Sequence, residues 1–238
     1  MAETSRAQPS ATASRPHILL GHGGPILAGA AQRILDAYGF EVEVAPNSAS
    51  VETALSSDAF DALVVDVALP GAPGFELTGM ARAAGVKVVI LVASVFRRTS
   101  YKRRPRRLYG ADDYVEIHHL GDHLPQRLRA HLGLDDMPLA DETLREVLRT
   151  IDERGDSRLR EQSPRGLAQL IVSDLLLYNG DRITEAESVD DALTAVATDL
   201  DGARDLFEQV RPNAEGGDLI GQIFRELVSS LDGRGEAT

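Results

Sequence analysis

The feature of this 238-residue chain that most constrains its fold is an alternation between residues 17 and 132. Short apolar runs of strand length alternate there with segments whose apolar residues recur every three or four positions, as in amphipathic helices. Strands that alternate with helices pair in parallel, because each helix carries the chain back along the sheet. The sequence therefore predicts a mostly parallel sheet with helices on both faces.

The predicted elements have the number and order of a small α/β domain. The predicted strands span residues 17–21, 40–45, 61–66, 86–93 and 113–117, and the predicted helices span residues 25–38, 48–57, 75–84 and 124–132. Five strands within about 115 residues match the flavodoxin-like (βα)5 fold, which has its functional crevice at the carboxyl ends of the strands. We therefore expect functional residues at that edge of the sheet.

Charge divides the chain into two unlike parts. Residues 1–133 have a net charge of +1, whereas residues 134–238 have a net charge of −13. This asymmetry favours two domains. The negative charge of the second half argues against nucleic-acid binding by that half, because it repels phosphates. The chain has no cysteine, which excludes disulfides and thiolate metal sites.

The second half has the pattern of a small all-α domain. Helices are predicted over residues 141–154, 164–178, 189–198, 203–210 and 218–231. The last of these carries a wide apolar stripe that needs a partner surface, so we expect either homodimerisation or docking on the α/β domain. The predicted organisation is a disordered tail (1–15), the α/β domain (16–133), a charged linker with a helix (134–162), a helical module (163–232) and a second disordered tail (233–238).

The chain carries no pattern that directs it to a membrane. The polar, Pro- and Ser-rich first residues lack the apolar stretch of a signal peptide. No apolar run approaches the roughly 20 residues that span a bilayer. We expect a cytoplasmic protein.

Three motifs in the first half carry a family resemblance. Residues 66–77 read D-V-A-L-P-G-A-P-G-F-E-L, residues 39–42 read G-F-E-V, and residues 110–114 read G-A-D-D-Y. With this order and spacing, residues 17–133 resemble the response regulator receiver (CheY-like) domain. The resemblance implies a flavodoxin-like fold and places Asp66 at the phosphoacceptor position after the third strand.

The resemblance also implies a Mg²⁺-dependent phosphorylation site, most of whose residues are missing here. A working receiver has an acidic pair after strand one, a Ser or Thr after strand four and a Lys after strand five. The corresponding residues are His22 and Gly23, Val92, and Ile117, with Ser94 close to the hydroxyl position. One carboxylate cannot assemble the oxygen ligands that Mg²⁺ requires. We therefore expect a pseudo-receiver, with Asp66 a vestigial phosphoacceptor, no catalytic residue and no cofactor.

Two alternatives remain open for this edge. Asp66 could still be phosphorylated with rebuilt geometry. A metal such as Zn²⁺ could use His22 or the cluster of Glu116, His118, His119, Asp122 and His123, although the spacing matches no zinc signature and capping or pairing with acids is the simpler interpretation. We expect no metal.

An arginine-rich loop occupies the region where a receiver has its fourth helix. Its candidate anion-binding residues are Arg97, Arg98, Tyr101, Lys102, Arg103, Arg104, Arg106 and Arg107. Guanidinium groups suit phosphates and carboxylates, and Tyr101 and Tyr109 could stack on a base. Three ligands fit these residues. The first is an acidic protein surface, including the chain's own C-terminal half. The second is cyclic di-GMP, which some CheY-like proteins bind through an arginine-rich segment in this region, and the third and least favoured is nucleic acid.

Together these features predict a non-enzymatic signalling or scaffold protein. Its pseudo-receiver would bind a protein partner without phosphorylation, and its acidic helical module would mediate dimerisation or partner binding. A cyclic di-GMP sensor and an atypical receiver phosphorylated on Asp66 are the alternatives.

Overall fold

A five-stranded parallel sheet forms the centre of the molecule. The computed structural model describes residues 15–95, 102, 104–138, 141–155, 157–212 and 217–232. The strands lie in the order β2-β1-β3-β4-β5 and comprise β1 (His17–Gly21), β2 (Glu41–Ala45), β3 (Ala62–Asp66), β4 (Val88–Ala93) and β5 (Asp113–Glu116). All neighbouring strands are parallel, which confirms the predicted flavodoxin-like α/β fold.

Helices cover both faces of the sheet and make up the C-terminal half. They are α1 (Pro25–Ala37), α2 (Ser48–Ser57), α3 (Thr78–Ala83, after a 3₁₀ turn), α4 (His123–His131), α5 (Asp141–Gly155), α6 (Ser157–Glu161), α7 (Pro164–Tyr178), α8 (Gly180–Thr184), α9 (Val189–Ala195), α10 (Ala197–Val210) and α11 (Leu219–Asp232). None of the described helices is both long and apolar enough to cross a bilayer.

The sequence of each strand reflects its place in the sheet. The central strands β3 and β4 are buried at every position, and they are continuous apolar runs because helices cover both of their faces. Edge strand β2 is half exposed and alternates Glu with Val. Both strand types end at the edge where Asp66 lies.

One face of the sheet is covered by α1, α4 and α5. Val147 and Ile151 of α5 are fully buried in the same apolar cluster as Ile34 of α1 and Val64 of β3. The helix predicted in the linker is therefore present, and it packs on the α/β domain.

The other face is covered by α2, α3 and the C-terminal helical region, which we define as residues 157–232. Leu175 and Tyr178 of α7 share one continuous apolar cluster with Val65 of β3 and Leu91 of β4. The predicted boundaries at residues 133 and 162 therefore do not separate two hydrophobic cores, because residues on both sides of them share this cluster. Of the two partners expected for the helical module, the α/β domain is the one that the structure shows.

The apolar stripe of α11 is covered within the chain. Ile220, Ile223, Phe224 and Val228 are buried in the cluster that contains α7. The feature that motivated the expectation of a homodimer is therefore satisfied by intramolecular packing.

Tyr109 joins the α/β domain to α7. It has a positive φ of 50°, and its ring stacks on Phe75 with centroids 4.8 Å apart. Its hydroxyl donates to the Leu176 carbonyl at 2.9 Å, and its own carbonyl accepts from Thr78 Oγ1 at 2.5 Å. These contacts occupy the ring that the sequence offered as a stacking surface for a base.

Candidate functional site

Asp66 ends β3 at the carboxyl edge of the sheet and is completely buried. Its Oδ1 accepts hydrogen bonds from the Ala68 amide at 2.9 Å and from the hydroxyl of Ser94. Its Oδ2 pairs with Arg158, whose Nη2 lies 2.5 Å away. The carboxylate is thus fully engaged by groups of the chain itself.

Arg158 reaches Asp66 from α6, in the C-terminal helical region. Its side chain is nine-tenths buried, because α6 and α7 lie over this edge of the sheet. Burial alone would raise the pKa of the Asp66 carboxyl, but the Arg158 guanidinium and the Ser94 and Ala68 donors hold that pKa below its usual value. Asp66 is therefore ionised and paired at neutral pH.

His22 lies where the resemblance implies a metal-binding acid. Its Nδ1 accepts the Gly24 amide at 3.0 Å, and its Nε2 lies 3.5 Å from Asp66 Oδ2. Burial and the nearby Arg158 lower the pKa of His22 to about 4, so the ring is neutral at pH 7. It adds a polar neighbour to Asp66 but no oxygen ligand.

Gly23, the second position of the missing acidic pair, has no room for a side chain. A Cβ placed there would come within 2.6 Å of the Pro70 ring. The packing of Pro70, in the turn that follows Asp66, therefore excludes an acidic side chain at position 23.

The hydroxyl near Asp66 comes from Ser94, since Val92 at the expected Ser or Thr position has none. Val92 pairs with Asp66 in the β3–β4 register and is buried. Ser94, two residues further along, donates to Asp66 instead. Ser94, which the sequence places close to the hydroxyl position, therefore supports the Asp66 carboxylate.

Ile117 holds the lysine position and is fully buried. In the described part of the chain, the side chains that contact Asp66 are a guanidinium, an imidazole and a hydroxyl, none of which is a carboxylate. Mg²⁺ usually requires several oxygen ligands in octahedral geometry. The arrangement thus favours an internal ion pair over a magnesium site.

Asp174 of α7 is a second buried carboxylate beside the site. Its Oδ1 accepts the amides of Ser94 at 2.6 Å and Val95 at 3.3 Å, so α7 holds the end of β4 in place. Burial raises the pKa of Asp174 to about 6, although Lys102 and the two amides oppose that effect.

Sequence reasoning missed both Arg158 and Asp174. Asp174 has a signal in the sequence, because it is a charged residue on the apolar face of α7 that carries Leu170, Ile171 and Leu175. Arg158 has no such signal, because it is one of many charged residues in the segment predicted as a linker.

The described members of the arginine-rich loop have different surroundings. Lys102 faces inward: its Nζ donates to the Val95 carbonyl at 2.6 Å, lies 3.3 Å from Glu116 and sits over the Tyr178 ring. This corrects its assignment to a partner-binding surface. Arg104, Arg106 and Arg107 are exposed, and Arg106 lies 3.9 Å from Asp181 of α8. Arg97, Arg98, Tyr101 and Arg103 lie outside the described residues.

The histidine cluster after β5 is brought together only in part. Ligand atoms of His119, Asp122 and His123 lie within 4.8 Å of one another. His119 Nδ1 lies 3.0 Å from Asp122, which also caps α4 by accepting the His123 amide. These contacts match the capping and pairing roles that the sequence analysis favoured.

Comparisons with known proteins agree with this architecture. Residues 23–128 match the family model of the response regulator receiver domain. The response regulator MprA of Mycobacterium avium is 34% identical over 138 residues, which cover 54% of this chain and 59% of that protein. MprA of Mycobacterium tuberculosis is 35% identical over 102 residues, or 42% of this chain and 44% of that protein. The chain thus spans about half the length of these relatives.

A solved receiver domain, that of the Francisella response regulator 1452, is 18% identical, covers 50% of this chain and 98% of its own, and superimposes with a TM-score of 0.42. The family match, the strand order and the Asp66 position together show that this chain contains a response regulator receiver domain, a module of two-component signal transduction. The helical C-terminal region follows it.

Proposed function

We propose that this chain is a non-enzymatic signalling protein whose receiver domain acts without phosphorylation. In this proposal the receiver is a pseudo-receiver, and its phosphoacceptor carboxylate has become a structural anchor for the C-terminal helical region. The signal is carried by binding a partner.

The observation that carries the proposal is the ion pair between Arg158 and Asp66. A phosphoryl donor must approach a carboxylate oxygen along an open path and be held by cations, a metal among them, that stabilise its charge. Here one oxygen of Asp66 pairs with Arg158 and the other accepts two hydrogen bonds, all of them buried. The guanidinium neutralises the charge that Mg²⁺ would otherwise neutralise.

We propose that the exposed arginines of the loop, represented by Arg104, Arg106 and Arg107, bind an acidic protein surface. Clustered guanidinium groups repel one another unless anions compensate them. The contact of Arg106 with Asp181 supports this preference, since the loop already meets an acidic group of the chain's own C-terminal half.

Cyclic di-GMP is the alternative ligand for the same loop. A cavity of about 860 Å³ between the loop and α8 is lined by Arg104, Arg106 and Arg182, which favours an anion, but also by Asp181 and Glu185, which oppose one. Calorimetry with cyclic di-GMP separates the two ligands. We expect no heat of binding; heat that disappears in an Arg103/Arg104/Arg106/Arg107→Ala variant would favour the nucleotide.

Phosphorylation is tested by incubating the full chain with acetyl phosphate and Mg²⁺ and measuring its intact mass. We expect the mass to remain that of the unmodified chain, for the wild type and for Asp66→Asn alike. A phosphoryl adduct on the wild type that Asp66→Asn removes would replace the proposal with an atypical but active receiver.

A further inference from the structure

Two histidines and an aspartate come together in the turn between β5 and α4. His119 ends the short 3₁₀ turn after β5, Asp122 is the N-cap of α4, and His123 is the first residue of that helix. One potential ligand atom from each of the three residues lies within 4.8 Å of those of the other two. Their side chains are a third to a half exposed, so an ion can reach them from solvent.

The separations between these atoms are close to those of ligands around one small ion. Asp122 Oδ2 lies 3.1 Å from His119 Nδ1 and 3.9 Å from His123 Nε2. Bonds of about 2.0–2.2 Å to a tetrahedral Zn²⁺ place neighbouring ligand atoms about 3.3–3.6 Å apart. The other oxygen of Asp122, Oδ1, accepts the His123 amide at 2.7 Å, which fixes the carboxylate at the start of α4.

The backbone that carries the three residues is held by packing. Leu120 and Leu124 are buried in the apolar cluster that α4 forms with the sheet. A Cβ at Gly121 would lie 3.0 Å from Leu148 of α5, so the turn runs close against that helix. A backbone fixed in this way lowers the cost of ordering the side chains around an ion.

One ring must turn before both histidines can bind the same ion. The rings of His119 and His123 stack with their centroids 3.8 Å apart and their planes 14° apart, whereas a metal lies in the plane of each imidazole that binds it. His123 is the more exposed of the two, and its Nε2 is 3.9 Å from Asp122. Its ring can therefore leave the stack without breaking a short hydrogen bond to a described residue.

We propose that His119, Asp122 and His123 bind a Zn²⁺ ion, with water in the fourth position. Imidazole and carboxylate are ligands that Zn²⁺ prefers, whereas Mg²⁺ selects oxygen ligands. The hydrogen bond between His119 and Asp122 places a proton where the ion would lie, so zinc binding releases that proton. Spacing alone predicted no metal, because it matches no zinc signature, and the convergence of the three side chains is what the structure adds. The proposal goes beyond the proposed function and does not involve Asp66.

The test titrates zinc chloride into the full chain at neutral pH by isothermal calorimetry, with and without an excess of Mg²⁺. We expect saturable binding of one Zn²⁺ that Mg²⁺ does not displace. His123→Gln and Asp122→Asn should each weaken this binding by roughly tenfold or more, because losing a group that only orients a ligand already costs about 10–100-fold. Asparagine is as good an N-cap as aspartate, so Asp122→Asn keeps the start of α4 intact.

His131→Gln is the matched control. The His131 side chain is also about a third exposed, and it likewise pairs with a carboxylate, that of Asp113 at 3.1 Å. This variant should keep the zinc affinity of the wild type. Two results would overturn the proposal: no saturable zinc binding up to the concentration at which the chain precipitates, or binding that His123→Gln and Asp122→Asn weaken no more than His131→Gln does.

Discussion

Arg158 and Asp66 are 92 positions apart in the chain, yet Nη2 of the arginine lies 2.5 Å from Oδ2 of the aspartate. The aspartate ends a central strand of the receiver domain, and the arginine belongs to the first helix of the C-terminal helical region. Buried charges are tolerated only when they are paired and hydrogen-bonded. The pair therefore fixes the position of the helical region relative to the sheet.

Two buried serines should respond differently to the loss of their hydroxyl groups. Ser94 donates to Asp66, whereas Ser173 Oγ has no hydrogen-bond partner among the described residues. We expect Ser94→Ala to lower the free energy of unfolding by about 1–2 kcal/mol and Ser173→Ala to leave it nearly unchanged. Urea denaturation of both variants checks this, and equal effects would mean that Ser94 does not support the carboxylate.

Two glycines near the start of α1 should respond in opposite directions to alanine. A Cβ at Gly23 would meet the Pro70 ring at 2.6 Å, whereas one at Gly29 of α1 would meet nothing within 4 Å. We expect Gly23→Ala to cost about 1–3 kcal/mol through overpacking. Gly29→Ala should add roughly 0.5–1 kcal/mol, since alanine is the better helix former. Thermal unfolding measures the stability of each variant relative to the wild type. A Gly23→Ala variant as stable as the wild type would refute the argument that packing excludes the acid.

Asp174 should make stability fall as pH rises through the weakly acidic range. Its pKa is about 6 in the folded chain against an ordinary value of 3.8, so between these values the folded state holds a proton that the unfolded state has lost. The stability contributed by that proton is present below 3.8 and is lost as pH rises to about 6. Asp174→Asn should remove this contribution, because an amide does not titrate in this range and its oxygen still accepts the two backbone amides. The variant should keep the opposite contribution of His22, whose lowered pKa of about 4 makes stability rise with pH over the same range.

Urea denaturation at several pH values between these limits measures the Asp174 effect. Asp190→Asn, at an exposed acid of α9, serves as the matched control and should keep the pH dependence of the wild type. The assignment would be contradicted if Asp174→Asn and the wild type had the same slope.

The receiver half was predictable because each of its signals is local. The Glu–Val alternation in β2, the apolar runs of β3 and β4, and the Pro70-Gly71 turn after Asp66 depend on neighbours within a few residues. The degenerate positions could be named for the same reason. They lie at or just after strand ends, whose spacing the pattern fixes.

The other half of the site depends on contacts that are distant in sequence. Arg158 is separated from Asp66 by most of the receiver domain, and Asp174 binds the end of β4 from about 80 residues away. No periodicity records which charged residue of a helix will be buried by tertiary packing. The sequence therefore indicated that the helical half needed a partner surface, but could not show that this surface lies over the phosphoacceptor position.

The most direct test of this account is a double-mutant cycle between Arg158→Met and Asp66→Asn, measured by urea denaturation. Arg158→Met alone should cost about 3–5 kcal/mol, because it leaves a buried carboxylate unpaired. The double variant should cost less than the sum of the single changes by about 1–3 kcal/mol. The same cycle on the exposed pair of Arg165 and Glu226 should give a coupling energy below about 1 kcal/mol. Additive effects at Arg158 and Asp66, within about 0.5 kcal/mol, would contradict the account.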